Sequence, residues 1–377
     1  MRIVTETPDK ILFTPGPLST AMSTKEAMLR DLGSRDSAFL DIVRQIRTKL
    51  LDIAGVSQSC GFEAILMQGS GTFGVESVIS SALPRNGRLL VAINGAYGRR
   101  IAHIARVLDI SVAELQIAEN RPINSADVEA AIRIHPEVDC VAVVHCETTT
   151  GLVNPVADIG KVVAASGKMY MVDAMSSFGV LPLDLEATGV DYLITSANKC
   201  FEGVPGFAVI IARTTTLQES KGRARSVCLD IYSQWQGLET SGQFRFTPPT
   251  HAILAFERTL AAFEEEGGVA GRRARYEANH QVLLRGMTRL GFRPYLEPSH
   301  QSCIITTFMY LRHPRFSFEL FYNLLNDRGF VIYPGKLTHS DCFRIGTVGQ
   351  VFPQDVENLL VAIAETLEEM GVDMEDC

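Results

Sequence analysis

Short apolar runs alternate with segments of helical period over the first two thirds of the chain. The apolar runs, bounded by turn residues, predict strands at Ile65–Met67, Arg88–Ile93, Val112–Leu115, Asp139–His145, Met169–Asp173, Tyr192–Ser196 and Phe207–Ala212. The helical-period segments predict helices at Ser37–Ala54, Thr72–Ala82, Arg99–Leu108, Ser125–His135 and Ala157–Ala165. Strands joined by helix-length crossovers make an α/β chain with a largely parallel sheet covered on both faces. Such sheets hold their ligands at the carboxyl ends of the strands.

The pattern changes after Gln243. Thr247-Pro248-Pro249-Thr250 is a rigid turn, and a long helical stretch follows, broken at Gly267-Gly268 and resuming through Arg285. The remainder reads as a smaller α+β unit, with strands near Ile304–Met309 and Gly329–Tyr333 and a closing helix, Val356–Met370. The expected division is an N-terminal segment (1–20), a large domain with a mostly parallel sheet (21–262) and a small C-terminal α+β domain (263–377).

Composition narrows the function classes. A chain of 377 residues with 46% hydrophobic content buries enough surface to need no staples. A net charge of −8 without long runs of like charge argues against nucleic-acid or anionic-membrane partners. The eight cysteines form no CxxC pair and read as reduced thiols. The first eight residues lack the apolar core of a secretory signal, and no apolar run reaches the roughly 18 residues of a membrane span. The expectation is a cytoplasmic protein. No histidine pair has metal-ligand spacing, so no metal is expected.

Three candidate groups stand at strand ends. Gln68-Gly69-Ser70-Gly71-Thr72-Phe73-Gly74 follows a strand and opens a helix, so backbone N–H groups, with the Ser70 and Thr72 hydroxyls, can cradle a phosphate. Asp173 closes one apolar run, and Lys199 follows another in Thr195-Ser196-Ala197-Asn198-Lys199. Each taken singly has a plainer reading: a capped helix, a turn aspartate, a solvated lysine. Together they deliver a phosphate cup, an acid and an amine to one sheet edge. Pyridoxal phosphate chemistry requires that set, with the lysine as Schiff-base former and the acid against the pyridinium nitrogen.

Six further positions are candidates. Tyr97, in Asn94-Gly95-Ala96-Tyr97-Gly98, can stack on a cofactor ring, and Thr148, Thr149 and Thr150 offer hydroxyls. Arg344, alone among apolar neighbours in Cys342-Phe343-Arg344-Ile345-Gly346, is a fork for an acidic group, and Arg35 is a second such arginine.

Thr14-Pro15-Gly16-Pro17, the Gly69–Thr72 cup, Asp173 and Lys199 together resemble the fold-type I pyridoxal phosphate enzymes, in the class V branch of alanine–glyoxylate and serine–pyruvate aminotransferases. The stretches Ser196–Gly206, Gly242–His251 and Gly329–Gly346 are similar to those of the transaminases that act on 2-aminoethylphosphonate and pyruvate. The likeness runs from Leu12 to the last helix, with Phe244 where a tryptophan is expected. It implies pyridoxal 5'-phosphate as cofactor, Lys199 and Asp173 as catalytic residues, and Ser70, Gly71, Thr72, Tyr97 and Thr150 as cofactor-binding. It further implies Arg344, with Arg35, as the substrate anchor. Thr247 would reach the phosphate from the neighbouring subunit of a homodimer.

Three other readings remain open at this point. A relative acting on alanine, serine or glyoxylate would share every cofactor residue. A lyase or cysteine desulfurase of the same fold would need a mobile reactive thiol in the small domain, where Cys303 and Cys342 both read as buried or structural. A scaffold protein could keep the fold without the chemistry.

Overall fold

The computed structural model describes residues 9–338 and 340–372; residues 1–8, where a secretory signal would begin, and Cys377 lie outside this range. Seven strands form the main sheet: β1 (Phe62–Gln68), β2 (Arg88–Ile93), β3 (Ser111–Gln116), β4 (Cys140–Val144), β5 (Met169–Asp173), β6 (Tyr192–Ser196) and β7 (Phe207–Arg213). Their spatial order is β1-β7-β6-β5-β4-β2-β3. All neighbours run parallel except β7, which is antiparallel to both β1 and β6. The carboxyl ends of β1, β6 and β5 therefore share one edge of the sheet.

Burial explains the strand composition. Every residue of β4 and β6 is buried, which suits strands covered by helices on both faces and accounts for their unbroken apolar runs. The edge strand β3 is half-exposed and carries Glu114, which pairs with Arg106; charge on an edge discourages pairing with another sheet. The helices between strands fall where periodicity expects them, with Gly71–Ala82 and Ala96–Val107 starting a residue or more earlier.

A second sheet of three strands, β8 (Ile305–Met309), β9 (Tyr333–Pro334) and β10 (Cys342–Gly346), has β10 in its centre. It packs with helices Phe318–Asp327 and Pro353–Glu369 into a separate apolar core. The N-terminal segment crosses to this core: Ile11–Leu12 pairs in parallel with Phe330–Val331, and Phe13 is buried there. The helix Gly268–Arg289 packs along Pro353–Glu369. Among the described residues, no helix is long and apolar enough to cross a membrane.

Candidate active site

The strand edge gathers three of the predicted groups. β1 ends at Gln68, and Gly69, at φ +112°, turns the chain in a region that an L side chain rarely enters. The helix Gly71–Ala82 then begins with Ser70 as its N-cap. The Ser70 hydroxyl makes no capping bond, so it and the first-turn N–H groups face the cavity at the positive end of the helix.

Asp173 is the last residue of β5 and is 5% exposed. Its carboxylate accepts the Met175 N–H at 2.9 Å. Burial raises its pKa to about 6, and the negative Glu147 adds to the rise; the Met175 N–H, Arg100 and Lys199 oppose it. A buried carboxylate in this condition fits a cationic partner.

Lys199 lies three residues beyond β6, in a turn closed by Glu202 N–H donating to the Lys199 carbonyl at 2.8 Å. The Lys199 Nζ donates to the Pro15 carbonyl at 2.7 Å. Burial lowers the Lys199 pKa and the positive Lys336 adds to that, while Tyr97, Cys200 and Asp173 pull upward. The net direction favours the neutral amine that a nucleophile and proton carrier needs.

One cavity is lined by Ser70, Gly71, Thr72, Tyr97, Asp173 and Lys199. Tyr97 comes from the first turn of Ala96–Val107. Burial would raise its phenol's pKa, but Thr148 and the positive Lys336, Lys199 and Arg344 outweigh it, and the net shift is downward. Through this phenol the cavity meets Arg344, which is 1% exposed at the centre of the second sheet. Two carbonyls orient its guanidinium: Nε donates to Pro334 at 3.0 Å and Nη1 to Thr148 at 2.9 Å. The Tyr97 phenol stands beside it as a further hydrogen-bonding group.

The remaining predicted residues stand elsewhere. The Thr150 hydroxyl is taken up in a turn, donating to the Glu147 carbonyl and accepting the Leu152 N–H, because Gly151 reverses the chain there. Thr247 is exposed, its carbonyl meeting the Gln68 side chain at 3.4 Å. Arg35 is exposed in the turn before helix Ser37–Ile53 and does not line the cavity.

Several residues at or behind the cavity were given no role by the sequence. Arg100 donates to the Thr72 hydroxyl at 3.3 Å and lies 4.9 Å from the Tyr97 ring centre. Its position one helical turn after Ala96 was the available signal. Buried Glu147 accepts the Tyr97 N–H (3.2 Å), the Gly98 N–H (3.4 Å) and the Thr149 hydroxyl (2.5 Å), so it caps the helix that carries Tyr97 and Arg100. Ser196 is buried at the cavity with its hydroxyl unpartnered among the described residues. A pyridoxal phosphate fits this set: an anion cup, a buried acid for the ring nitrogen, an amine for the aldehyde and a ring to stack upon.

The thiols weigh against the desulfurase reading. Burial pushes Cys303 up to about 12 and raises Cys342, leaving both protonated and enclosed.

The family model for class-V aminotransferases matches residues 17–344. The chain belongs to that family. It is 47% identical over 359 residues, 95% of this chain and 97% of the relative, to a 2-aminoethylphosphonate–pyruvate transaminase of Vibrio vulnificus (strain CMCP6). A protein of the same name from Syntrophobacter fumaroxidans is 47% identical over 362 residues, covering 96% of this chain and 97% of that one. Among solved structures, an alanine–glyoxylate aminotransferase from Nostoc sp. superposes with a TM-score of 0.90 at 22% identity, covering 97% of each chain, which bears on the fold alone.

Proposed function

We propose that this aminotransferase uses pyridoxal 5'-phosphate to pass the amino group of 2-aminoethylphosphonate to pyruvate, giving phosphonoacetaldehyde and L-alanine. The observation that carries the reading is the single cavity that unites the cup at Ser70–Thr72, Asp173, Lys199 and Tyr97 and leads to Arg344. The near-full-length similarity to transaminases of that name supports the choice of substrates.

Bound there, the cofactor supplies an aldehyde for the amine and a protonated ring that draws electrons from the carbon bearing nitrogen. Ser70, Gly71 and Thr72 would hold its phosphate, and Tyr97 would lie against its ring. Asp173 would keep the ring nitrogen protonated, at lower cost than an unpaired buried carboxylate. Lys199 Nζ would take the proton from the substrate carbon that bears nitrogen, and its lowered pKa keeps it basic without being charged. Arg344 would grip the phosphonate of one substrate and the carboxylate of the other, since both present paired oxygens. Two half-reactions through one site imply ping-pong kinetics.

The active unit would be a homodimer in the cytoplasm, with exposed Thr247 of each protomer reaching the phosphate cup of its neighbour. The domain division would fall near residue 263, as two separate apolar cores support, with the N-terminal segment joined to the smaller one. Arg35 would act from across the dimer interface, because it does not line the cavity of its own protomer.

The test is a visible spectrum of the cofactor-loaded protein. Adding 2-aminoethylphosphonate alone should bleach the lysine-bound form, and adding pyruvate should restore it with stoichiometric L-alanine. Bleaching by L-alanine but not by 2-aminoethylphosphonate would overturn the choice of donor.

A further inference from the structure

A carboxylate and a phosphonate differ in charge and in oxygen count, and Arg344 alone balances only the carboxylate. The structure offers a second cation at the same place. Lys336 sits in the link between β9 and β10, the two strands whose register sets Tyr333 opposite Arg344. Its Nζ lies 5.4 Å from the centre of the Tyr97 ring, the ring whose phenol faces Arg344.

The link is held in that position. Gly335 N–H donates to the Cys342 carbonyl at 3.0 Å, which closes its base. Two residues beyond Lys336, the Thr338 N–H and hydroxyl donate to Glu119 at 3.2 and 3.0 Å. Glu119 follows β3 of the main sheet and is paired with Arg99 at 2.6 Å, so its charge is already engaged. The lysine is thus carried by the smaller unit and moored to the larger one. Arg344 and Lys336 both stand against Tyr97, a ring that lines the cavity.

Resting on the phosphonate reading above, we propose that Lys336 is the residue that sets specificity for phosphonate over carboxylate. Its ammonium supplies the second positive charge, and a donor for the third oxygen, that a doubly charged phosphonate uses and pyruvate does not. An exposed lysine on a long, rotatable stem suits this role, because it can close on a tetrahedral dianion and stand aside for a planar monoanion.

The experiment compares Lys336→Gln and Lys336→Arg with the parent holoenzyme. Each half-reaction is followed separately in single turnovers, and binding of unreactive ethylphosphonate and propionate is measured by calorimetry. Lys336→Gln is expected to lose about 10–100-fold in kcat/KM for 2-aminoethylphosphonate and in affinity for ethylphosphonate, one charged hydrogen bond's worth. Pyruvate turnover and propionate affinity are expected to stay within about threefold, and Lys336→Arg to recover most of the phosphonate loss. Equal losses in both half-reactions, with the pH profile shifted upward, would mean that Lys336 acts through Lys199 and would overturn the proposal. No loss for ethylphosphonate would overturn it as well. If the parent enzyme fails to turn over 2-aminoethylphosphonate, the substrate reading falls, and the ethylphosphonate titration still decides the role of Lys336.

Discussion

The Lys199 Nζ donates a hydrogen bond to the Pro15 carbonyl at 2.7 Å, across 184 residues of sequence. The N-terminal segment therefore reaches into the active site and contacts the amine directly. The contact is close enough that a Cβ added at Gly16, where φ is +122°, would stand 2.5 Å from Nζ.

Gly16→Ala is accordingly expected to displace the Lys199 amine and strain the segment by about 1–2 kcal/mol. Turnover should fall steeply while the cup still holds cofactor noncovalently. Equilibrium dialysis of pyridoxal phosphate beside borohydride trapping of the lysine bond separates the two effects.

Lys199→Ala removes the amine altogether. The variant is expected to form no covalent link to cofactor, checked by mass spectrometry after borohydride reduction. It should also lose the proton carrier, a loss of about 100-fold or more from that role alone. Persistent transamination would sink the assignment.

Asp173 gives a pH signature. Its carboxyl is raised from 3.8 to about 6 in the folded chain, so the folded state holds its proton more tightly than the unfolded state. The resulting stability is full below about pH 4 and is lost as pH rises through about 6, amounting to about 3 kcal/mol. Urea unfolding of cofactor-free protein between pH 4 and pH 7 should show this slope. Asp173→Asn should reduce it, since buried Glu147, also raised, keeps its own share, and saturating pyridoxal phosphate should flatten it by placing a cation beside the carboxylate.

Arg344→Lys keeps the charge and loses the fork. If one arginine serves both substrates, each half-reaction should slow by about 10-fold or more. Damage to only one half-reaction, measured in single turnovers, would show that each acid has its own anchor.

Glu202 tests the support beneath the lysine turn. It is 4% exposed at φ +66° and accepts Arg275 at 2.6 Å and the Tyr276 hydroxyl at 2.5 Å. Arg272 lies 3.4 Å from it and also donates to the Cys200 carbonyl at 2.7 Å. Glu202→Gln leaves buried guanidinium groups short of a partner and is expected to cost about 3 kcal/mol in urea unfolding.

The chain's own pattern determined which segments become strands and helices, and that the cup, Asp173 and Lys199 each stand at a strand end. These features are local: burial periodicity and the turn chemistry after a strand are written within a few neighbouring residues. Tertiary structure alone decided that β7 runs against its neighbours, because strand direction depends on how the short link after Lys199 closes. It also decided that Pro15 meets Lys199, that Lys336 lies over Tyr97, and that the Thr150 hydroxyl is consumed by its own turn. The first two join segments far apart in the chain, 184 residues in the case of Pro15 and Lys199. The last turns on rotamers and loop closure, which residue type alone does not specify.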